Sequence, residues 1–136
     1  MTPRPIALSA ILVVATIAAG LALRLIHLGL PAPLVKYGGS VLWAMMVYWI
    51  VSAIRRRWPV PRSALAAAVV ATAVECFKLC HTPALDALRR TLPGALLLGR
   101  VFSVWDLFAY ALAIALAALI DRAIRARLSP GAAPHA

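Results

Sequence analysis

Four stretches of nearly unbroken apolar residues organise the chain, running from about Ile6 to Ile26, Gly39 to Ile54, Ser63 to Leu79 and Val104 to Ile120. Each approaches the roughly 17–25 residues that a helix needs to cross a hydrocarbon core, the second being the shortest. They are continuous Ala, Leu and Val runs without apolar–polar alternation, and a barrel of this length would need more strands. The pattern therefore predicts an all-α polytopic membrane protein. Four transmembrane helices are expected, with a short interfacial helix and a re-entrant segment between the third and fourth.

Punctuation between the runs refines this picture. Pro61-Arg62-Ser63 offers Ser63 as N-cap of the third span. Thr82-Pro83 offers a cap followed by a proline at the first helical position. It opens a segment with Leu85, Leu88 and Leu92 on one face, as expected of a helix lying on a membrane surface. Asp86 stands three and four residues before Arg89 and Arg90, a spacing that permits pairing. Pro93-Gly94 is expected to end that helix. Ala95–Gly99 then returns to apolar character but is too short to span, which suggests a re-entrant loop covered by protein. Residues 1–128 form one transmembrane domain on this reading, and 129–136, rich in Pro, Gly and Ala, a disordered tail. Small residues at helical spacing, Ala109, Ala113 and Ala117 and also Ala15 and Ala19, allow close helix contact in lipid.

Composition fixes the class. Of the 136 residues 64% are hydrophobic and only 13% charged, about half the charged share of an ordinary soluble domain. Such a chain has too little polar surface to face water. A net charge of +10 would suggest a nucleic-acid partner in a soluble protein. Here the arginines cluster at the ends of apolar runs, so no nucleic-acid partner is expected and topology explains them. Arg4, Arg55, Arg56, Arg57, Arg62, Arg122, Arg125 and Arg127 fall on one side of a four-span layout. Arg24, Lys36, Lys78, Arg89, Arg90 and Arg100 fall on the other, partly offset by Glu75, Asp86 and Asp106. The first side is expected to be cytoplasmic, with both termini there. A basic Arg4 and the Ala18-Ala19-Gly20 run imitate a signal peptide. The run is long for one, and its removal would leave an odd number of spans.

Candidate chemistry gathers in "VECFKLCHTP", Val74 to Pro83. Cys76, Cys80 and His81 make C-x-x-x-C-H, one residue longer than the haem-attachment spacing. Two buried thiols beside an interfacial histidine is the reading, with no cofactor and no metal. Glu75 and Lys78 are ionisable groups inside a span, three residues apart on one face that Thr72 continues. Both lie in the outer third of the helix, where snorkelling lowers their cost. Asp106 opens the fourth span, and Ser103-x-x-Asp106 fits a capping box. Tyr110 is one turn below, and Arg24 lies near the same end of the first span. These groups converge on one level. Arg24, Glu75, Lys78, Asp106 and Tyr110 are expected to line a polar pocket, with Arg89 and Arg100 above it; the competing interpretation is a structural ion-pair network. No G-x-S-x-G, H-E-x-x-H or P-loop pattern is present, and no enzyme is predicted.

"YGGSVLWAMMVYW" (Tyr37–Trp49), "VECFKLCHTPALDALRRT" (Val74–Thr91) and "LLLGRVFSVWDLFAY" (Leu96–Tyr110) together resemble a family of small bacterial membrane proteins catalogued as domain of unknown function 2809. The resemblance covers roughly residues 15 to 120. It implies that Arg24, Gly38, Trp43, Glu75, Asp86, Arg89, Gly99, Asp106 and Tyr110 occupy recurring positions. Lys78 stands where that family usually has Gln, Ser40 where Asp is common and Ala113 where Gly is frequent. A Glu in the third span and an Asp opening the fourth are also similar to VanZ-like proteins, which implies a role at the cell envelope. The expected function is binding of an anionic membrane lipid or lipid-linked envelope precursor at the charged end. The alternatives are a small proton- or ion-coupled transporter, a structural subunit of a larger membrane complex and, lowest, an enzyme on a lipid-linked substrate. Sequence alone leaves the oligomeric state open.

Overall fold

The computed structural model describes residues 2–129, so residues 130–136 of the expected tail lie outside the described residues. Six helices follow one another: α1 Ile6–Leu25, α2 Ala32–Ile54, α3 Val60–Phe77, α4 Pro83–Arg90, α5 Leu92–Leu98 and α6 Val104–Leu128. No strand occurs among the described residues. Four of the helices, α1, α2, α3 and α6, are long and apolar enough to cross a membrane. At 1.5 Å per residue they run from about 27 Å (α3) to about 37 Å (α6).

The helix starts are set by proline more than by hydroxyl caps. Pro31 precedes α2 and Pro33 sits in its first turn, where a missing N–H costs nothing. The helix consequently begins seven residues before the apolar run. Pro59 and Pro61 do the same for α3, which starts at Val60. Ser63 is therefore not the N-cap. Its own N–H bonds back to the Pro59 carbonyl at 3.3 Å, and the side chain is buried inside the helix. Thr82 does cap α4, its Oγ1 accepting from the Leu85 N–H at 3.2 Å. Thr91 repeats the device, accepting from the Gly94 N–H at 3.2 Å. Pro93-Gly94 thus opens α5 rather than ending α4, and the expected re-entrant loop is a short helix. A side chain at residue 94 would place its Cβ 1.9 Å from the Leu88 carbonyl oxygen, so only glycine allows this tight corner.

α2, α3 and α6 pack on one another, α1 lies against α2, and α4 and α5 pack together beside α3. The core is built from small residues: Ala44, Ala67, Ala71, Ala113 and Ala117 are buried at the contacts of the three central helices. Without a hydrophobic drive between helices in lipid, such close approach is what holds them together. Ala15 and Ala19 do not contribute, because both are exposed. Ser9, Leu12, Val13, Thr16 and Gly20 form the inner side of α1 instead. The outer faces carry large apolar side chains, among them Ile11, Leu65, Val69, Phe108, Leu112 and Leu119, each more than 60% exposed. A face of that kind needs an apolar surround.

Candidate functional site

The last turn of α3 carries Glu75 inward, and Lys78, the C-cap that follows it, points the same way. Ala71, not Thr72, continues their buried face; Thr72 is exposed. Glu75 is 0% exposed and satisfies both oxygens. Its Oε2 accepts the Tyr110 hydroxyl at 2.8 Å and lies 2.5 Å from Lys78 Nζ. Its Oε1 accepts the backbone N–H of Ser103 at 2.7 Å. Lys78 is buried, with its ammonium 3.6 Å from Asp106 Oδ2 and 3.5 Å from the Tyr110 hydroxyl. It does not snorkel to the surface, because two carboxylates hold it inside. Gly99, at φ +67°, is required beside it: a Cβ there would sit 2.5 Å from Lys78 Cε.

This arrangement overturns the capping box at Ser103. In that motif the side chain three residues into the helix returns to the N-cap N–H. Here Glu75, from another helix, takes the Ser103 N–H, and Ser103 makes no side-chain cap bond. Asp106 is thereby free to accept the Ser40 hydroxyl at 3.1 Å and to face Lys78. The cluster ties α2, α3 and α6 together at one end of the bundle.

Above it lies a cavity of about 240 Å³ lined by Arg24, Lys36, Ser40, Trp43, Lys78, Arg100, Asp106 and Tyr110, with α5 as one wall. Arg24 lies flat on Gly39, where an added Cβ would come within 2.5 Å of its Nε. Arg24, Lys36 and Arg100 form no ion pair with a carboxylate among the described residues. Among the described residues Arg100 makes one hydrogen bond, from its Nε to the Arg89 carbonyl at 3.2 Å. The Trp43 indole nitrogen is buried with no hydrogen-bond partner among the described residues. Its ring meets that of Tyr110 at 5.3 Å between centroids.

Of the residues singled out in the sequence, Arg24, Lys78, Arg100, Asp106 and Tyr110 come together at this cavity, with Glu75 directly behind. Arg89 does not. Its guanidinium donates to the Phe77 carbonyl at 2.8 Å and the Cys80 carbonyl at 2.7 Å, closing the C-terminal end of α3, and lies 3.5 Å from Asp86. Asp86 pairs with it and with His81 rather than with Arg90. Cys76 and Cys80 are exposed thiols, not buried ones.

Sequence reasoning missed Lys36, Ser40 and Trp43 as lining residues. They stand at i, i+4 and i+7, a helix stripe that shows only if α2 is begun upstream of Gly39. It also missed a second buried cluster at the opposite end. Asp121 is 0% exposed and accepts from Tyr48 at 2.7 Å, Ser52 at 3.2 Å and Arg125 at 2.9 Å. Arg4 Nε lies 3.4 Å from it, while Arg4 Nη2 donates to Ser52 at 2.8 Å and its guanidinium covers the Trp49 ring. Burial pulls the Arg4 guanidinium below its ordinary value and Asp121 pulls it back; an arginine nonetheless stays charged at any ordinary pH. The signal was the spacing Asp121-x-x-x-Arg125, one acid among the arginines after the last apolar run.

Fold and composition together define the class: a helical bundle with four apolar helices of spanning length, the mark of a multi-pass membrane protein. Residues 30–114 match the model of a family described as protein of unknown function (DUF2809), and the chain belongs to that family. The match contains every residue of the Glu75 cluster but stops short of Arg24 and of the Arg4–Asp121 pair. No curated protein matches the chain. No solved structure matches it either.

Proposed function

We propose that this chain is an integral membrane protein whose charged pocket binds an anionic headgroup, that of a membrane lipid or of a lipid-linked envelope precursor. The observation that carries the reading is the placing of Arg24, Lys36 and Arg100 around one cavity, none of them in an ion pair with a carboxylate among the described residues. Charges held in ion pairs have their partners already; these three are available for charge-assisted bonds to an anion. The Glu75–Lys78–Asp106–Tyr110 cluster is the rigid floor that fixes the ends of α2, α3 and α6 beneath them. The arginine bias at the Asp121 end supports a cytoplasmic location for that end and an outward-facing pocket in a bacterial inner membrane. The resemblance of Glu75 and Asp106 to VanZ-like proteins points to the envelope as well. Between the two charged ends Ala44, Ala67, Ala71, Ala113 and Ala117 close the core, so binding is the reading rather than transport.

Thermal unfolding of the purified protein in neutral detergent tests this. A ligand that binds only the folded state stabilises by about 2.7 kcal/mol at a hundredfold excess over Kd. Added anionic phospholipid is expected to raise Tm, zwitterionic phospholipid is not, and Arg24→Gln combined with Arg100→Gln removes the difference. Equal shifts from both lipids would reject the proposal.

A further inference from the structure

A second cavity, of about 280 Å³, lies between α1, α2 and α5. Its lining is apolar apart from Thr16 and Arg24, and it shares Arg24, Trp43, Leu96 and Leu97 with the charged pocket. From Arg24 it extends along α1 as far as Thr16, eight residues or about 12 Å at 1.5 Å per residue. Its long axis is therefore that of the helices, the direction in which lipid chains lie, and its charge is at one end only. The Trp43 side chain lines both cavities and so marks where they join.

We infer that the ligand is a membrane amphiphile that enters sideways from the lipid phase, its anionic head between Arg24, Lys36 and Arg100 and its apolar chain in the cleft between α1, α2 and α5. This rests on the reading of the charged pocket as an anion site, and it excludes a soluble anion as the natural occupant. The chain adds little affinity of its own, because surrounding lipid is as apolar as the cleft. Its part is to aim the head at the arginines.

The test uses decyl phosphate with a photoactivatable diazirine at the end of its chain, added to the whole protein in phosphatidylcholine nanodiscs. Cross-linked peptides are mapped by mass spectrometry, and phosphate retention is measured separately. Labels are expected within residues 16–21 and 42–46, and both label and retention fall in Arg24→Gln. A Cβ at Gly20 meets only Leu42 Cβ, at 3.8 Å, so there is room at that position for a larger side chain in the cleft. Gly20→Phe is therefore expected to lose the cleft label and to keep Arg24-dependent retention of inorganic phosphate. Labels confined to the outer face of α6, at Leu112 and Leu116, with retention still dependent on Arg24, overturn the inference and leave the anion pocket standing. Retention indifferent to Arg24→Gln overturns both. The wild-type map is decisive even if Gly20→Phe fails to fold.

Discussion

At the scale of single residues, the Glu75–Lys78 pair has the strongest energetic consequence. Both side chains are buried, and removal of one partner leaves the other charge uncompensated, at a cost of about 3–5 kcal/mol. Asp106, 3.6 Å from the ammonium, offsets part of this in Glu75→Gln. The expected outcome is that Glu75→Gln lowers stability by a large part of that amount, while Glu75→Gln with Lys78→Met recovers most of it. Steric-trap unfolding in bicelles measures both. Tyr110→Phe deletes a hydrogen bond to a charged oxygen of Glu75, worth about 1.5–3 kcal/mol, together with the 3.5 Å contact that Lys78 Nζ makes to the same hydroxyl. Glu75 and Lys78 were legible in the sequence because charge inside an apolar run is costly and needs a partner. The role of Asp106 was not: its local spacing satisfied a capping box, and only the fold reveals that Glu75, 28 positions before Ser103, takes the Ser103 N–H.

At the scale of elements, the runs of apolar residues located all four long helices but misplaced their ends. α2 and α6 each continue beyond the apolar run, through Lys36 at one end and Arg125 at the other. Hydropathy ends where polar residues begin, whereas a helix ends where its backbone bonds do. Proline in the first turn of α2, and the buried Asp121–Arg125 pair in the last turns of α6, are what extend them. α5 was the harder case, since Pro93-Gly94 reads as a stop unless Thr91 is recognised as a cap. Thr91→Ala is expected to cost about 1 kcal/mol, the usual value of an N-cap hydroxyl. Amide hydrogen exchange should show this as faster exchange at Gly94 and Ala95 with α6 unchanged. Equal protection in α5 would mean that packing alone, not the cap, starts that helix.

At the scale of the whole molecule, two buried acid clusters brace opposite ends of one alanine-packed bundle. The Asp121 cluster ties the segment before α1 to α2 and α6 through Arg4, Ser52 and Arg125. Asp121→Asn leaves two buried guanidinium groups without a carboxylate, so its loss of stability is expected to exceed that of Arg127→Gln, an exposed change, by at least about 2 kcal/mol. The same comparison read by proteolysis should show the segment around Arg4 cut faster in Asp121→Asn. At the Glu75 end a buried, paired floor lies beneath Arg24, Lys36 and Arg100, which face one cavity and form no ion pair with a carboxylate among the described residues, and on that arrangement the proposal of a binding site rests. Native mass spectrometry from mild detergent tests this most directly, with wild type beside Arg24→Gln/Arg100→Gln and beside Arg57→Gln/Arg127→Gln, which removes equal charge from the opposite end. The account predicts a bound anionic lipid mass in the wild type and in the second variant, and its loss in the first. The same bound mass in all three proteins, or equal loss from both variants, would contradict it.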